Sequence, residues 1–596
     1  MLLEKLCEYS QRLEDLPPIG YDKIPIRWLI NLDADGNFLG IITTSSGRKK
    51  DRGKVFFAPV VMKSVNIRTS LLVGNGEYVL GIPRDHTKMA RVQKCHQAFV
   101  EEVQKCVTSA QISQVQAVGN FLTSPDLRAK LVLPDDFDPA MNISFQVEGF
   151  LPFDLPEVKA YWVGTKSGDP PASDLSQCLV CGKSCIPTER FPIKFKVIAG
   201  GQSSGMSMVS ANAGAFESYG LRASLIAPVC RDCAEHSAKA YNGLLEKKDS
   251  RLNIGPLVYL FWTRQKTPFN IAALFSKPQP EQVKELMRSA PRGRLYTALD
   301  TEAFYATALS ASGARVVVRD WLETTVGQVK EHLARWFTLQ DLVDWDGSEG
   351  SPYGLFTLAR SLIPQKGDMQ RDLPPNVPRV LLKVALQGGT LPSWLMFQAI
   401  KRNRAEQAIT RPRAALIKMV LLSQDKNFQE DAMVQMDEGN RHPAYLCGRL
   451  LAVLEQVQFL AVSPKATLIS RFYGTASTAP GSVFPRLVRG AQAHLGKLRK
   501  ERFGAYADLQ GRLEAVMENL AGFPKVLTLE QQGWFSLGYY HQRAWDRAQA
   551  KAGKRSRSPA KKRLSKKPLL TKKNKEEAKI WNPPVTKTRL VGTILS

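Results

Sequence analysis

The chain has 596 residues and an ordinary apolar fraction of 44%, which excludes wholesale disorder and supplies enough material for several domains. Its formal net charge is +27. Residues 551–596 contain fifteen Lys or Arg and two Glu, so they account for +13, and the first 550 residues carry +14. A folded body with this charge favours phosphate polymers as partners. No unbroken run of about 18 apolar residues predicts a membrane span, so we expect a cytosolic protein without a membrane partner.

The amino-terminal part of the sequence predicts a mixed α+β domain over residues 1–172. IRWLINL and FLGIITT flank Asp35-Gly36, and TSLLV and EYVLGI flank Asn75-Gly76, which are turn signals for two β-hairpins. Apolar residues spaced by three, four and seven predict one helix over residues 86–123. ISFQVEG and VKAYWVG then indicate strands, and the polar, Pro-rich SGDPPASD indicates a connection.

Residues 173–236 form a cysteine-bearing, Gly/Ser-rich insertion that resembles a zinc knuckle. Two-residue spacing in each pair lets the thiolates turn towards one tetrahedral ion. We therefore predict a structural zinc ion, with buried thiols as the alternative reading and with Cys185 or His236 as substitute ligands. The four predicted ligands are Cys178, Cys181, Cys230 and Cys233.

Within this insertion, glycines and small polar residues interrupt two β-like runs between residues 194 and 220. Glycine permits close backbone approach, and amide and hydroxyl side chains donate hydrogen bonds to phosphates or base edges. A solvated surface hairpin is the alternative. The candidate nucleic-acid contacts here are Lys196, Gln202, Ser203, Ser204 and Asn212, with Asn75 at the predicted hairpin tip as a further candidate.

The remaining chain is predicted to become progressively helical. Residues 237–375 read as a mixed, mainly helical region with strands at LVYLFW, GRLYTALD and ARVVVRDW. Residues 376–550 predict a helical bundle, and residues 551–596 a disordered basic tail. The predicted bundle helices are 395–408, 412–422, 443–459, 484–502 and 505–521.

Two basic runs in the bundle are candidate contacts for a nucleic-acid backbone. Such runs are often only solvated helix faces, but the folded body already carries a net positive charge. The first run contains Lys401, Arg402, Arg404, Arg411 and Arg413, and the second contains Arg486, Arg489, Lys497, Arg499, Lys500 and Arg502.

An enzymatic alternative also exists. Asp135, followed by Glu157 and Lys159, imitates the acidic-lysine pattern of a metal-dependent nuclease, in which carboxylates hold a divalent ion and the lysine orients water. Such short patterns recur by chance in a long chain. We therefore expect a non-enzymatic protein, and a structural ribonucleoprotein component is a further alternative.

Several motifs together resemble one family. GGQSSGMSMVSANAGAFESYG, EQQGWFSLGYYHQRAW, NLDADGNFLGI, EYVLGIPRD, LPEVKAYW and SRFYGTASTAPGSVFPRLVRGAQAHLGKLRK are similar to the large subunit of the subtype I-C CRISPR interference complex, called Cascade. The resemblance extends from residue 1 to about 550. The long basic tail departs from the family pattern.

The resemblance implies a non-catalytic subunit of a CRISPR RNA-guided DNA surveillance complex. Such a subunit recognises the protospacer-adjacent motif on double-stranded DNA, assists duplex opening and R-loop formation, and recruits a helicase-nuclease, while the guide RNA reads the target by base pairing. The implied partners are the guide complex backbone, the other Cascade subunits, the target DNA, and a small subunit translated from an internal start of the same gene.

Overall fold

The computed structural model describes residues 2–47, 51–61, 67–84, 89–165, 175–196, 198–211, 213–290, 297–369, 371–425 and 432–556. Over these residues the protein is a mixed helix and sheet structure, with a β-hairpin near the amino terminus and helices towards the carboxyl end, as the sequence predicts. Its first elements, in chain order, are α1 (Leu2–Ser10), β1 (Tyr21–Ile26), β2 (Trp28–Leu32), β3 (Phe38–Thr43), β4 (Lys54–Pro59), β5 (Gly74–Asn75), α2 (Gly76–Val79), α3 (Met89–Ala110), α4 (Ser113–Thr123), α5 (Pro125–Ala129), β6 (Asn142–Val147) and α6 (Pro156–Gly164).

A four-stranded sheet in the order β3-β2-β6-β5 organises this amino-terminal region. Strands β2 and β6 are parallel, and the other neighbours are antiparallel. The hairpin predicted at Asp35-Gly36 is confirmed: the Asp33 carboxylate accepts the backbone N–H groups of Asp35 and Asn37, and Gly36 takes a positive φ of 92°. Helices α3, α4 and α6 cover the sheet in one apolar core.

Three predictions in this region are wrong. Asn75-Gly76 is not a hairpin turn, because the chain passes from the two-residue strand β5 directly into α2. The predicted single helix over 86–123 breaks at Gln111, whose φ is +50°. VKAYWVG is helix α6 rather than a strand: Pro156 begins the helix, and Val158 and Trp162, four residues apart, are both buried.

The middle of the chain contains a second four-stranded sheet, antiparallel throughout, whose strands are ordered β12 (Arg315–Thr325), β11 (Ala303–Ser312), β10 (Leu257–Thr263) and β9 (Arg251–Ile254). Of the three predicted strands, LVYLFW and ARVVVRDW are confirmed, whereas Thr297–Asp300 forms a turn and residues 293–296 of GRLYTALD lie outside the described residues. The elements are β7 (Ser176–Gln177), β8 (Ser184–Cys185), α7 (Arg231–Glu246), β9 (Arg251–Ile254), β10 (Leu257–Thr263), α8 (Ile271–Ser276), α9 (Pro280–Ser289), β11 (Ala303–Ser312), β12 (Arg315–Thr325), α10 (Val326–Gln340) and α11 (Leu355–Arg360).

Both faces of this sheet are covered, which explains why every residue of β10 is buried. Val258, Leu260 and Trp262 face a core shared with α1, α7 and the cysteine-bearing segment. Tyr259 and Phe261 face the opposite core, which continues into the helices that follow. The cysteine-bearing segment therefore packs on the sheet and on α1, and the boundaries at 172 and 236 stay predictions.

The carboxyl end is a helical assembly whose bounds lie near the predicted ones. Helix α15 (Pro443–Val462) has the length and apolar character of a membrane span, but 72% of its apolar window is buried inside the protein, as in a core helix. A long last helix, which the sequence prediction missed, runs to Ser556, beyond the predicted start of the tail; residues 557–596 lie outside the described residues. The helices are α12 (Asn376–Gln387), α13 (Ser393–Glu406), α14 (Arg411–Gln424), α15 (Pro443–Val462), α16 (Leu468–Ala476), α17 (Pro480–Glu501), α18 (Phe503–Met517) and α19 (Leu529–Ser556).

Candidate nucleic-acid interface and metal centre

The two cysteine pairs come together in space. The Sγ atoms of Cys178, Cys181, Cys230 and Cys233 all lie within 4.8 Å of one another, and those of Cys181 and Cys230 are 3.9 Å apart. Four sulfurs around a tetrahedral zinc ion at Zn–S ≈ 2.3 Å are about 3.8 Å apart. The described quartet therefore has the size and the ligand type of a closed zinc site.

Local backbone geometry builds each half of this cluster. The first pair lies in a tight turn between β7 and β8, where Gly182 has a φ of +72° and donates its N–H to the Cys178 carbonyl at 2.9 Å. The second pair begins α7, with Cys230 at the N-cap and its Sγ accepting the N–H of Cys233 at 3.4 Å. A turn and a helix start thus present two thiols each.

The thiols of the quartet differ in acidity. Burial acts to raise the pKa of Cys178, but backbone N–H groups, including those of Val180 and Cys230 at 3.4 and 3.3 Å, outweigh it and lower the pKa to about 6. Burial raises the pKa of Cys230 to about 11. A bound cation would favour ionisation of all four thiols.

A buried charge cluster links α7 to the amino-terminal sheet region. The Glu235 carboxylate accepts Lys239 Nζ at 3.1 Å, Arg231 Nε at 2.9 Å and the Gly20 N–H at 2.8 Å. The Gly20 carbonyl in turn accepts the Trp162 indole N–H at 2.9 Å. This cluster was not predicted from the sequence, although Glu235, four residues before Lys239, forms a recognisable helical ion pair.

The Gly/Ser-rich segment forms loops on the end of the β11–β12 hairpin. The Gln202 N–H donates to the Gly313 carbonyl at 3.3 Å, and the Ser207 N–H donates to Ala314 at 2.9 Å. A turn closed by the Gly205 N–H on the Gln202 carbonyl, at 3.0 Å, leaves the side chains of Gln202, Ser203 and Ser204 exposed. The structure brings these three predicted residues together at the surface.

The other candidates of this part of the chain have different positions. Lys196 is half exposed and forms an ion pair with Glu246. Asn75 is buried, and its side chain accepts the Tyr78 N–H at 3.3 Å as the N-cap of α2. Its side chain therefore serves the fold, which corrects its assignment as a base-reading hairpin tip. Asn212 lies outside the described residues.

The first basic run divides between the interior and the surface. Arg411 and Arg413 are buried: Arg411 donates to the carbonyls of Leu342 and Ser351, and Arg413 donates to the Ser361 carbonyl at 2.8 Å. Both guanidinium groups hold helix α14 against its neighbours. This corrects the prediction that Arg411 and Arg413 contact a nucleic-acid backbone. Of the other residues in this run, Lys401 is exposed, and Arg402 and Arg404 are half-buried. Their contact with nucleic acid stays a prediction.

The second basic run lies on the surface along α17. Its apolar residues, such as Phe484, Leu487 and Leu495, are buried, and its cations point the other way. At about 100° per residue, Arg486, Arg489, Lys497 and Lys500 fall within one arc of roughly 80°. The arc is about 21 Å long at 1.5 Å per residue. We call these four residues the α17 stripe; Arg499 and Arg502 are also exposed, and Arg499 lies over the Tyr506 ring.

The residues of the nuclease alternative do not assemble. Lys159 forms an ion pair with Asp154 at 2.7 Å, and both Lys159 and Glu157 belong to helix α6, where residues two apart point in different directions. Among the described residues, the cysteine quartet forms the group of possible metal ligands, and Asp135 and Glu157 are not part of such a group.

Comparison with known proteins adds one finding. A model of the family described as CRISPR-associated protein (Cas_Csd1) matches residues 6–546. Among curated proteins no match is found. The matched range contains the cysteine quartet, the turn at Gln202–Ser204 and the α17 stripe.

Proposed function

The chain belongs to the Cas_Csd1 family of CRISPR-associated proteins, and from that premise we propose that it is the non-catalytic large subunit of a subtype I-C Cascade complex. In this role it works in the cytosol with the other Cascade components, recognises the protospacer-adjacent motif on target DNA, assists duplex opening and recruits a helicase-nuclease for antiviral defence. The guide RNA supplies target identity. A small subunit from an internal start of the same gene is a further proposed partner.

The α17 stripe is the observation that carries the DNA-binding part of this proposal. Its four cations face solvent on a rigid helix, and the sole carboxylate of that helix is Glu501 at its end, 4.0 Å from Lys497. Phosphate contacts release counterions and supply most of the sequence-independent affinity for DNA. A linear cationic track of this type fits one nucleic-acid backbone.

The stripe is tested by removing its charges within an assembled guide complex. Arg486→Gln, Arg489→Gln and Lys500→Gln together should weaken binding of a matched target duplex at least 10-fold and reduce the slope of log K against log salt, because each lost phosphate contact removes about 0.9 from the slope. The control combines Lys105→Gln, Lys284→Gln and Lys383→Gln, three exposed lysines elsewhere. Equal binding by the two triple variants would refute the assignment.

We further propose that the turn at Gln202–Ser204 reads the adjacent motif. Its exposed amide and hydroxyls are groups that hydrogen-bond to base edges. Gln202→Ala with Ser204→Ala should then reduce the preference for the correct motif over a scrambled one, while binding to the scrambled duplex stays the same. A uniform loss on both duplexes would instead indicate backbone contacts.

We propose that the quartet holds a structural zinc ion that fixes the segment between its cysteine pairs. When bound, zinc supplies four closed coordination bonds and no open catalytic position. Elemental analysis of the purified chain should find about one zinc per chain, and Cys181→Ser with Cys230→Ser should abolish it. Cys185→Ser is the matched control, since Cys185 lies outside the quartet. Full zinc content in the double variant would contradict the proposal.

A further inference from the structure

Between the two cysteine pairs, residues 213–222 form a loop that we call the tip loop. Its neck is narrow: Ala211 and Ala223 exchange two backbone hydrogen bonds of 2.8 and 2.9 Å. Ser224 fixes the neck further, because its Oγ donates to the Val209 carbonyl at 2.9 Å and its N–H donates to the Glu189 backbone carbonyl at 3.0 Å. Because the base of the loop is already fixed, binding of a ligand at the end of the loop costs little further conformational entropy.

The end of the tip loop is a tight turn with an unusual residue in it. The Leu221 N–H donates to the Ser218 carbonyl at 2.9 Å, and the two central residues, Tyr219 and Gly220, have φ values of +53° and +72°. Turns with positive φ at both centres favour Asn-Gly or Gly-Gly. A bulky side chain there is strained, and residues in strained conformations cluster at functional sites.

The Tyr219 side chain makes no contact inside the protein that would offset this strain. It is 98% exposed. Among the described residues, its side chain has no hydrogen-bond partner and its ring packs on no other aromatic ring. A tyrosine that buries nothing in a strained turn is therefore placed for a contact outside the chain.

The surroundings of Tyr219 fit a nucleic acid. Phe216, on the same loop, is half exposed with the Arg315 guanidinium 4.2 Å from its ring centre. Arg315 begins β12, at the hairpin end that also carries the turn at Gln202–Ser204, so both loops share one surface. Residues 175–226 contain five Lys or Arg and two Glu. Exposed aromatic rings beside cations and hydroxyls are the features with which proteins bind unpaired bases.

We propose that Tyr219 stacks on an unpaired base of a DNA strand. This inference rests on the proposed function, since it assigns an unpaired strand to the surface that carries the Gln202–Ser204 turn. Stacking needs only the face of a base, so the contact tolerates any sequence. The strained turn holds the ring away from the body, where a base reaches it.

The test uses the full chain and a single-stranded oligothymidine of about 12 nucleotides in which 5-iododeoxyuridine replaces one thymidine. Irradiation should link this base to the peptide that contains Tyr219, as mapped by mass spectrometry. Tyr219→Asn should bind the strand roughly 5- to 100-fold more weakly, the range seen when one stacking ring is removed. Tyr219→Phe keeps the ring and should bind as the natural chain does.

The strain adds a second readout. Asparagine suits the turn, so Tyr219→Asn should leave the melting temperature unchanged or raise it by about 2 °C while it weakens binding. Phe356→Asn, which changes a half-exposed aromatic ring on α11, is the control and should leave strand affinity unchanged.

Three outcomes separate the possibilities. Unchanged affinity of Tyr219→Asn together with crosslinks that map elsewhere would overturn the stacking role. The stacking role would also be overturned if Tyr219→Asn bound the strand normally but failed to join the guide complex, because Tyr219 would then contact a protein. If Tyr219→Asn binds normally but the triple α17 stripe variant does not, the stacking inference fails and the proposed function stands.

Discussion

The two basic runs of the helical assembly have similar compositions but opposite environments. Residues 401–413 place Arg411 and Arg413 in the interior, where carbonyl groups and Glu406 accept their donors. The α17 stripe places Arg486 and Arg489 in solvent. Charge density along the sequence therefore does not decide whether a cation supports the fold or contacts a ligand.

The two runs differ in environment because the cations lie on different faces of their helices relative to the buried apolar residues. Helix α14 is buried on all sides, because α10, α11, α13 and α19 pack around it, so any cation on it must find partners inside. Helix α17 is buried on one face only, and its cations occupy the opposite face. Arginine suits the interior when each planar N–H group meets an acceptor.

The largest contrast is expected from the same substitution in each region. Arg413→Ala should reduce the free energy of unfolding by about 3–5 kcal/mol, because it leaves the Glu406 carboxylate and the Ser361 carbonyl without their buried partner. Arg489→Ala should change it by less than about 0.5 kcal/mol, as exposed positions usually do. Urea denaturation of both variants measures the difference. Similar losses would mean that the two regions do not differ as the structure indicates.

A third buried cation of α14 gives a pH-dependent contrast. Burial lowers the pKa of Lys418 from 10.5 to about 8, and its Nζ donates to the Asp341 carbonyl. Between pH 8 and 10.5 the unfolded chain holds a proton that the folded chain has released, so stability from this group rises with pH. Below pH 8 Lys418 is protonated in both states, and the cost of burying its charge lowers the free energy of unfolding by about 3 kcal/mol, which corresponds to the shift in pKa.

Lys418→Met should therefore stabilise the protein at pH 7 by about 1–3 kcal/mol, after the loss of one hydrogen bond is subtracted. The advantage over the natural chain should shrink steadily between pH 8 and pH 10. Denaturation midpoints of both chains at pH 7, 8, 9 and 10 test this. A stripe control, Lys500→Met, should show no such pH dependence, and a constant difference for Lys418→Met would refute the shifted titration.

The sequence predicted those parts of the fold whose local pattern agrees with their packing. Asp35-Gly36 was identifiable because its turn needs a positive φ, and the strand LVYLFW because both its faces are buried. VKAYWVG was misread, since an apolar run of that length suits a strand or a short helix and only the packing of Trp162 decides. The break at Gln111 has no local signal.

The candidate site divides in the same way. The cysteine quartet was predictable because two-residue spacing is a property of the ligand set itself. Arg411 and Arg413 were misassigned, because their partners Leu342 and Ser361 lie more than fifty residues away in sequence. Tyr219 was visible only as part of a motif; its exposure and positive φ are properties of the fold.

A smaller effect is expected when one cation of the α17 stripe is neutralised. Arg486→Gln should weaken binding of the target duplex by about 2- to 5-fold and reduce the salt slope by at most about 0.9, which corresponds to one phosphate contact. Filter binding at four salt concentrations measures both values. Folding stability should fall by no more than about 1 kcal/mol, the value of the exposed contact between the Arg486 guanidinium and the Phe472 ring at 5.4 Å, in contrast to Arg413→Ala. A slope identical to that of the natural chain would mean that Arg486 contacts no phosphate.

The smallest effect is expected when the charge stays and the shape changes. On the stripe, Arg489→Lys keeps a cation within reach of the same phosphate. Because a phosphate binds a lysine ammonium group as well as an arginine guanidinium group, duplex affinity should change by less than about 2-fold, with the same salt slope. A base-edge contact would instead require the planar, bidentate guanidinium. A loss of duplex affinity above about 10-fold with an unchanged salt slope would therefore mean that Arg489 contacts a base edge rather than a phosphate.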